Sequence, residues 1–128
     1  MNMLDKAEAM KDRTKQFAIR IVTVCRALPA SREGNVLGNQ LLRSGTAVAA
    51  NYRAVCRARS KAEFVSKMSI VVEEADETVF WLEMLVDTRI VPVRQTDVAT
   101  KGNQRIVSDL RCFATHSEVQ SPSLMNVQ

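Results

Sequence analysis

Glycine and proline are scarce in this chain, four and three among 128 residues. A sheet protein needs many turns and a rich supply of β-branched and aromatic residues. With so few turn formers and only 5% aromatics, the balance favours helices over a sheet. Histidine is almost missing. The one example, His116, has no acidic or cysteine partner at metal-ligand spacing, so it reads as a solvated tail residue. Cysteine is sparse too. Cys25, Cys56 and Cys112 are odd in number and widely spaced, with no C-x-x-C pair, which excludes a zinc or redox motif and a disulfide framework. No apolar run approaches membrane-spanning length. The opening "MNMLDKAEAMKDR" is charged where a secretory leader would be apolar, so the expected place is the cytoplasm. No P-loop, G-x-G-x-x-G or G-x-S-x-G occurs. The carboxylates of "EEADE" lack the histidines of a di-iron bundle. With no catalytic set, metal or cofactor site to assemble, the expectation is a protein that is not an enzyme.

What is present is helical periodicity. The length predicts one domain, large enough for a real core. A first helix is expected over residues 4–28, with Ala7, Met10, Thr14, Phe17, Ile21, Val24 and Leu28 as a 3-4 seam interrupted once by threonine. Pro29 and "ASREGN" are expected to end it. A second helix over 36–57 is rich in small residues, with Leu37, Leu41, Val48 and Val55 toward the core. Asn51 sits near that seam as a polar residue able to set register, and Tyr52 falls on the core side. Ser60 and Glu63 form a capping box opening a third helix, expected to be the longest. Its seam is read as Val65, Met68, Val72, Ala75, Val79, Leu82 and Val86. After Pro92 a fourth helix is expected over 97–115, carried by Ile106, Leu110 and Phe113. Residues 1–116 would be the bundle and 117–128 a flexible tail. The fold class is all-α, an antiparallel up-and-down four-helix bundle.

The net charge of +4 permits nucleic-acid binding without requiring it. Its distribution says more. From 43 to 67 there are six bases (Arg43, Arg53, Arg57, Arg59, Lys61, Lys67) and one acid, Glu63. Arg43, Arg53 and Arg57 share one face of the second helix. From 68 to 88 there are six acids (Glu73, Glu74, Asp76, Glu77, Glu83, Asp87) and no base. Two readings stand. The charges are solvated or pair helix to helix, each exposed pair stabilising by about 0.2–1 kcal/mol. Alternatively Arg43, Arg53, Arg57, Arg59 and Lys61 hold the phosphates of RNA or DNA. No aromatic interleaves with them to stack bases, which argues for backbone contact without sequence readout. On the third helix Ile70, Trp81 and Met84 lie off the seam. They form a second apolar strip that suits a second subunit, hence a homo-oligomer.

The stretch "QLLRSGTAVAANYRAVCRARSKAEFVSKMSIVVEEADETVFWLEML", residues 40–85, resembles a bacterial four-helix bundle family. That family is named after proteins encoded in intervening sequences of large-subunit ribosomal RNA genes. Gln40, Leu41, Arg43, Ser44, Ala50, Asn51, Tyr52, Arg53, Ser60, Glu63, Phe64, Lys67, Glu74, Ala75, Glu77, Thr78, Trp81 and Leu82 carry the resemblance. It implies an up-and-down bundle that assembles as a homopentamer, with no catalytic residues. The same fold is similar to the accessory variability determinants of diversity-generating retroelements, basic pentamers that partner a reverse transcriptase and nucleic acid. Similar sequences carry an acid where this chain has Ala54, which puts any site built on that acid in doubt. The expectation is therefore an oligomeric bundle, pentamer favoured, binding RNA or DNA. The alternative is a structural or protein-partner scaffold whose arginine face serves assembly.

Overall fold

The computed structural model describes residues 2–92, which form three α-helices and no strand. The expected fourth helix, His116 and the 117–128 tail lie outside the described residues.

Helix α1 spans Met3–Arg26 and opens on the side chain of Asn2, which accepts the Asp5 N–H at 2.8 Å. Its seam is as expected through Ile21. Thr14 is buried there without penalty because its hydroxyl donates to the Met10 carbonyl at 2.9 Å. Helix α2 spans Arg32–Val55, beginning four residues before the expected start. The polar "SREGN", read from sequence only as ending the first helix, supplies the cap and first turn of α2. Ser31 accepts the Gly34 N–H at 3.0 Å, and Glu33 lies near the positive end of the helix dipole. Helix α3 spans Lys61–Asp87 and, at 27 residues, is the longest of the three. The Ser60 hydroxyl accepts the Glu63 N–H at 3.0 Å, while the Glu63 carboxylate accepts the N–H of Arg59 at 3.1 Å. The capping box therefore reaches one residue further back than its usual form. A Schellman turn closes α3. Arg89 takes the left-handed conformation (φ 61°), and the Ile90 and Arg89 N–H groups bond to Leu85 and Val86 carbonyls.

Helix α2 lies between the other two and runs antiparallel to both. Ile21 packs on Gly45 and Leu28 on Gly38 along one edge. Along the other, Ser44 meets Thr78. Gly45 has a reason to be glycine: an added Cβ would stand 2.7 Å from Ile21 Cγ2 and 3.1 Å from Ile21 Cβ.

The register of α3 differs from the expected seam. The buried positions are Phe64, Met68, Val71, Ala75, Thr78, Leu82 and Leu85, while Val65, Val72, Val79 and Val86 are half-buried. The two candidate seams share Met68, Ala75 and Leu82. Phe64 and Leu85 bury more apolar surface than the competing valines. Thr78, the one polar member, satisfies its hydroxyl on the Glu74 carbonyl at 2.7 Å and meets Ser44 Oγ at 3.0 Å.

Candidate nucleic-acid interface

Among the five proposed basic contacts, Arg43 is paired across to α3. Its guanidinium reaches across from α2 to α3, bonding Glu74 at 3.2 Å and Glu77 more closely, and its Nε donates to Gln40 Oε1 at 3.1 Å. Helical spacing puts Arg43 on one face with Arg53 and Arg57, and the acids of α3 draw its guanidinium toward that helix. Glu77 also accepts the indole N–H of Trp81 at 3.1 Å. Gln40, Arg43, Glu74, Glu77 and Trp81 thus form one polar strap across the α2–α3 seam, directly over the buried Ser44–Thr78 contact. Seven of the residues carrying the family resemblance, Gln40, Arg43, Ser44, Glu74, Glu77, Thr78 and Trp81, sit in this strap or beneath it.

The other four stay together. Arg53 lies in the last turn of α2, Arg57 and Arg59 in the turn, and Lys61 at the first residue of α3, all exposed. Arg53 sits favourably against the negative end of the α2 dipole. The acid of this stretch is already engaged. Lys67 at 2.7 Å, and then the Arg59 N–H, hold the Glu63 carboxyl below the usual carboxylate range. Arg53, Arg57, Arg59 and Lys61 together make this end of the helix pair basic and exposed.

Beneath it, Tyr52 is fully buried, and burial, with help from Cys56, pushes its phenol far above the ordinary range. The aromatic nearest the basic turn is therefore shut inside the core and cannot stack on a base. Burial likewise raises the thiols of Cys25 and Cys56. Among the described residues no group of histidine, cysteine or carboxylate side chains could hold a metal ion. No helix there is long and apolar enough to cross a membrane.

The second apolar strip is partly as expected. Ile70 is 44% exposed, but Trp81 and Met84 are half-buried. Phe80, missed from the sequence, is 49% exposed and meets Trp81 edge-on with centroids 4.9 Å apart. Its signal was available: Glu73, Phe80 and Asp87 repeat at sevens along the outer side of α3.

An all-α chain with a strapped antiparallel helix pair and a basic turn defines a class of helical bundle proteins. A model of the family described as 23S rRNA-intervening sequence protein matches residues 7–111, and the chain belongs to that family. It is also similar to a crystal structure, at 1.70 Å resolution, from Bacteroides thetaiotaomicron VPI-5482. That structure is of a protein with unknown function from the S23 ribosomal protein family. The two share 34% identity and a TM-score of 0.80, covering 86% of this chain and 98% of the other. No curated protein matches the chain.

Proposed function

We propose that this protein is a non-enzymatic, self-associating helical bundle of the cytoplasm that binds RNA or DNA by its phosphate backbone at the α2–α3 turn. The observation that carries the reading is the exposed set Arg53, Arg57, Arg59 and Lys61, whose neighbouring acid Glu63 is occupied by Lys67 and Arg59. Arginine forks match phosphate oxygens in pairs. A fourth helix over 97–115 and a pentameric assembly, with the apolar strip Ile70, Trp81 and Met84 at the subunit contact, belong to the same reading. Copies ordered around a ring would present several basic turns together, so weak single contacts would add by avidity.

The test is a fluorescence anisotropy titration of two unrelated RNA sequences of equal length, and two matching DNA sequences, across a salt series. Four phosphate contacts per copy predict that log K falls with log salt at a slope of roughly −3 to −4 for one engaged turn. Sequences of one length should bind alike. No binding at low salt, or strong preference for one sequence, would overturn the reading.

A second reading is favoured by the Arg43 strap: arginines of this stretch serve helix and subunit packing, and the chain is a scaffold for a protein partner. It predicts the same bundle with no response to nucleic acid.

A further inference from the structure

A groove follows one side of the α1–α2 pair, and at the end away from the basic turn it deepens into a cavity of about 360 Å³. Val22 and Leu42 give the cavity apolar walls, and Asn35 and Asn39 supply amides. Cys25 lines it too, its thiol donating to the Gly38 carbonyl at 3.6 Å. Arg26 is the one charged side chain among the lining residues.

Both walls continue to the basic turn. Lys15, Ile19, Val22 and Arg26 are spaced 4-3-4 and share one face of α1. Asn35, Asn39, Leu42, Thr46, Ala49 and Arg53 are spaced 4-3-4-3-4 and share one face of α2. Ile21 packs on Gly45, and the helices are antiparallel. At equal rise Lys15 then stands level with Asn51, less than one turn from Arg53. Residues 15–26 and 35–53 contain no acid. Lys15 and Arg26 are exposed and make no ion pair among the described residues. The groove therefore carries cations at both ends, apolar and amide groups between them, and no carboxylate along its length.

We propose that this groove is the path of a single strand of RNA or DNA, which runs from the basic turn past Lys15 to Arg26 and seats one nucleotide in the cavity. This rests on the nucleic-acid binding proposed above and deepens it by naming the single strand as the substrate class. Packed helices stand about 8–10 Å apart, so the trough between them admits one strand and not a duplex. From Asn35 to Arg53 α2 rises about 27 Å, the length of roughly five nucleotides of an extended strand. Ile19, Val22 and Leu42 meet base faces by apolar contact. Each asparagine amide carries both a donor and acceptors, so it finds a partner on the edge of any base, and the path stays tolerant of sequence.

Two native thiols mark the ends of the path: Cys25 in the cavity and the exposed Cys56 beside the turn. The test is N-ethylmaleimide labelling of the full chain at low salt, resolved by peptide mass. It is run with saturating oligouridylate or oligothymidylate of about 12 nucleotides, and with the duplex of the same DNA strand. The single strands should slow labelling of both thiols severalfold, whereas the duplex should protect Cys56 alone. Lys15→Gln with Arg26→Gln, with helix content checked by circular dichroism, removes two contacts. It should make the log–log salt slope for the single strand shallower by about 1.4 and leave the duplex slope unchanged. Labelling of Cys25 that ignores a bound single strand would overturn the groove path and leave the turn standing. So would a Cys25 that resists labelling in the free protein, or a slope that the variant does not change. Equal protection of Cys25 by the duplex would overturn the single-strand assignment. A wild type that binds none of these probes would overturn both this path and the function it rests on.

Discussion

Replacing Arg43 with methionine separates the two roles an arginine in this stretch can have. The change keeps most of the side-chain stem and removes the guanidinium that joins Gln40, Glu74 and Glu77. The arginine side chain is 47% exposed, so each ion pair is discounted to about 0.2–1 kcal/mol. Two such pairs and one hydrogen bond come to about 1–2 kcal/mol, with Glu74 and Glu77 left facing each other unneutralised. At this chain length that corresponds to a fall in melting temperature of about 4–8 °C. Thermal unfolding followed by circular dichroism would read it. High salt should narrow the gap between wild type and variant, because screening weakens the wild-type strap. Affinity for nucleic acid per assembled particle should not change, since Arg43 is turned toward α3. A variant that melts like wild type at low salt would refute the strap. A variant that melts normally yet loses nucleic acid would return Arg43 to the binding surface.

Four further outcomes follow from the helix ends and close packing. Arg89→Gly should raise stability by about 1 kcal/mol in denaturant unfolding, because glycine enters the left-handed region without a Cβ penalty; an unchanged or lower midpoint counts against the Schellman turn. Gly45→Ala should cost about 1–3 kcal/mol, since its Cβ meets the branched stem of Ile21. Gly38→Ala should be neutral or stabilising, because only the far end of Leu28 must move; equal effects of the two would refute the packing. Lys67 and the Arg59 N–H lower the folded pKa of Glu63, so its stabilisation is full above the ordinary glutamate range. It is lost as pH falls through that range and below. Glu63→Gln should therefore flatten the acid limb of a melting-temperature series, and an identical limb would contradict the assignment.

Much of this was legible from residue spacing, and the exceptions have physical causes. Ser60 with Glu63 marked the start of α3 because a cap is a local interaction, readable within four residues. Ser31 with Glu33 carried the same kind of signal for α2, but with the glycine and asparagine after it the stretch was read only as ending the first helix. The seam of α3 was ambiguous because 15 of its 27 residues are apolar, more than one seam requires. Only packing against α2 decides between Phe64 with Leu85 and the half-buried valines. The basic turn is contiguous in sequence, so its four exposed cations were found. The particular partners of Arg43 were not legible because they lie 31 and 34 residues away, and spacing along one helix says nothing about what the next helix offers. Phe80 was passed over because it adjoins Trp81, although two adjacent helical residues can meet ring to ring while belonging to different stripes.

The central claim is that Arg53, Arg57, Arg59 and Lys61 make the basic turn a phosphate-binding end of an assembled bundle. The most direct measurement is the salt dependence of RNA binding by the chain carrying Arg53→Glu and Arg57→Glu, first shown by sedimentation to keep the wild-type size. The account predicts an affinity far below wild type at low salt, and a log–log salt slope shallower by roughly two per engaged turn. An intact variant that binds RNA with wild-type affinity and slope would contradict it.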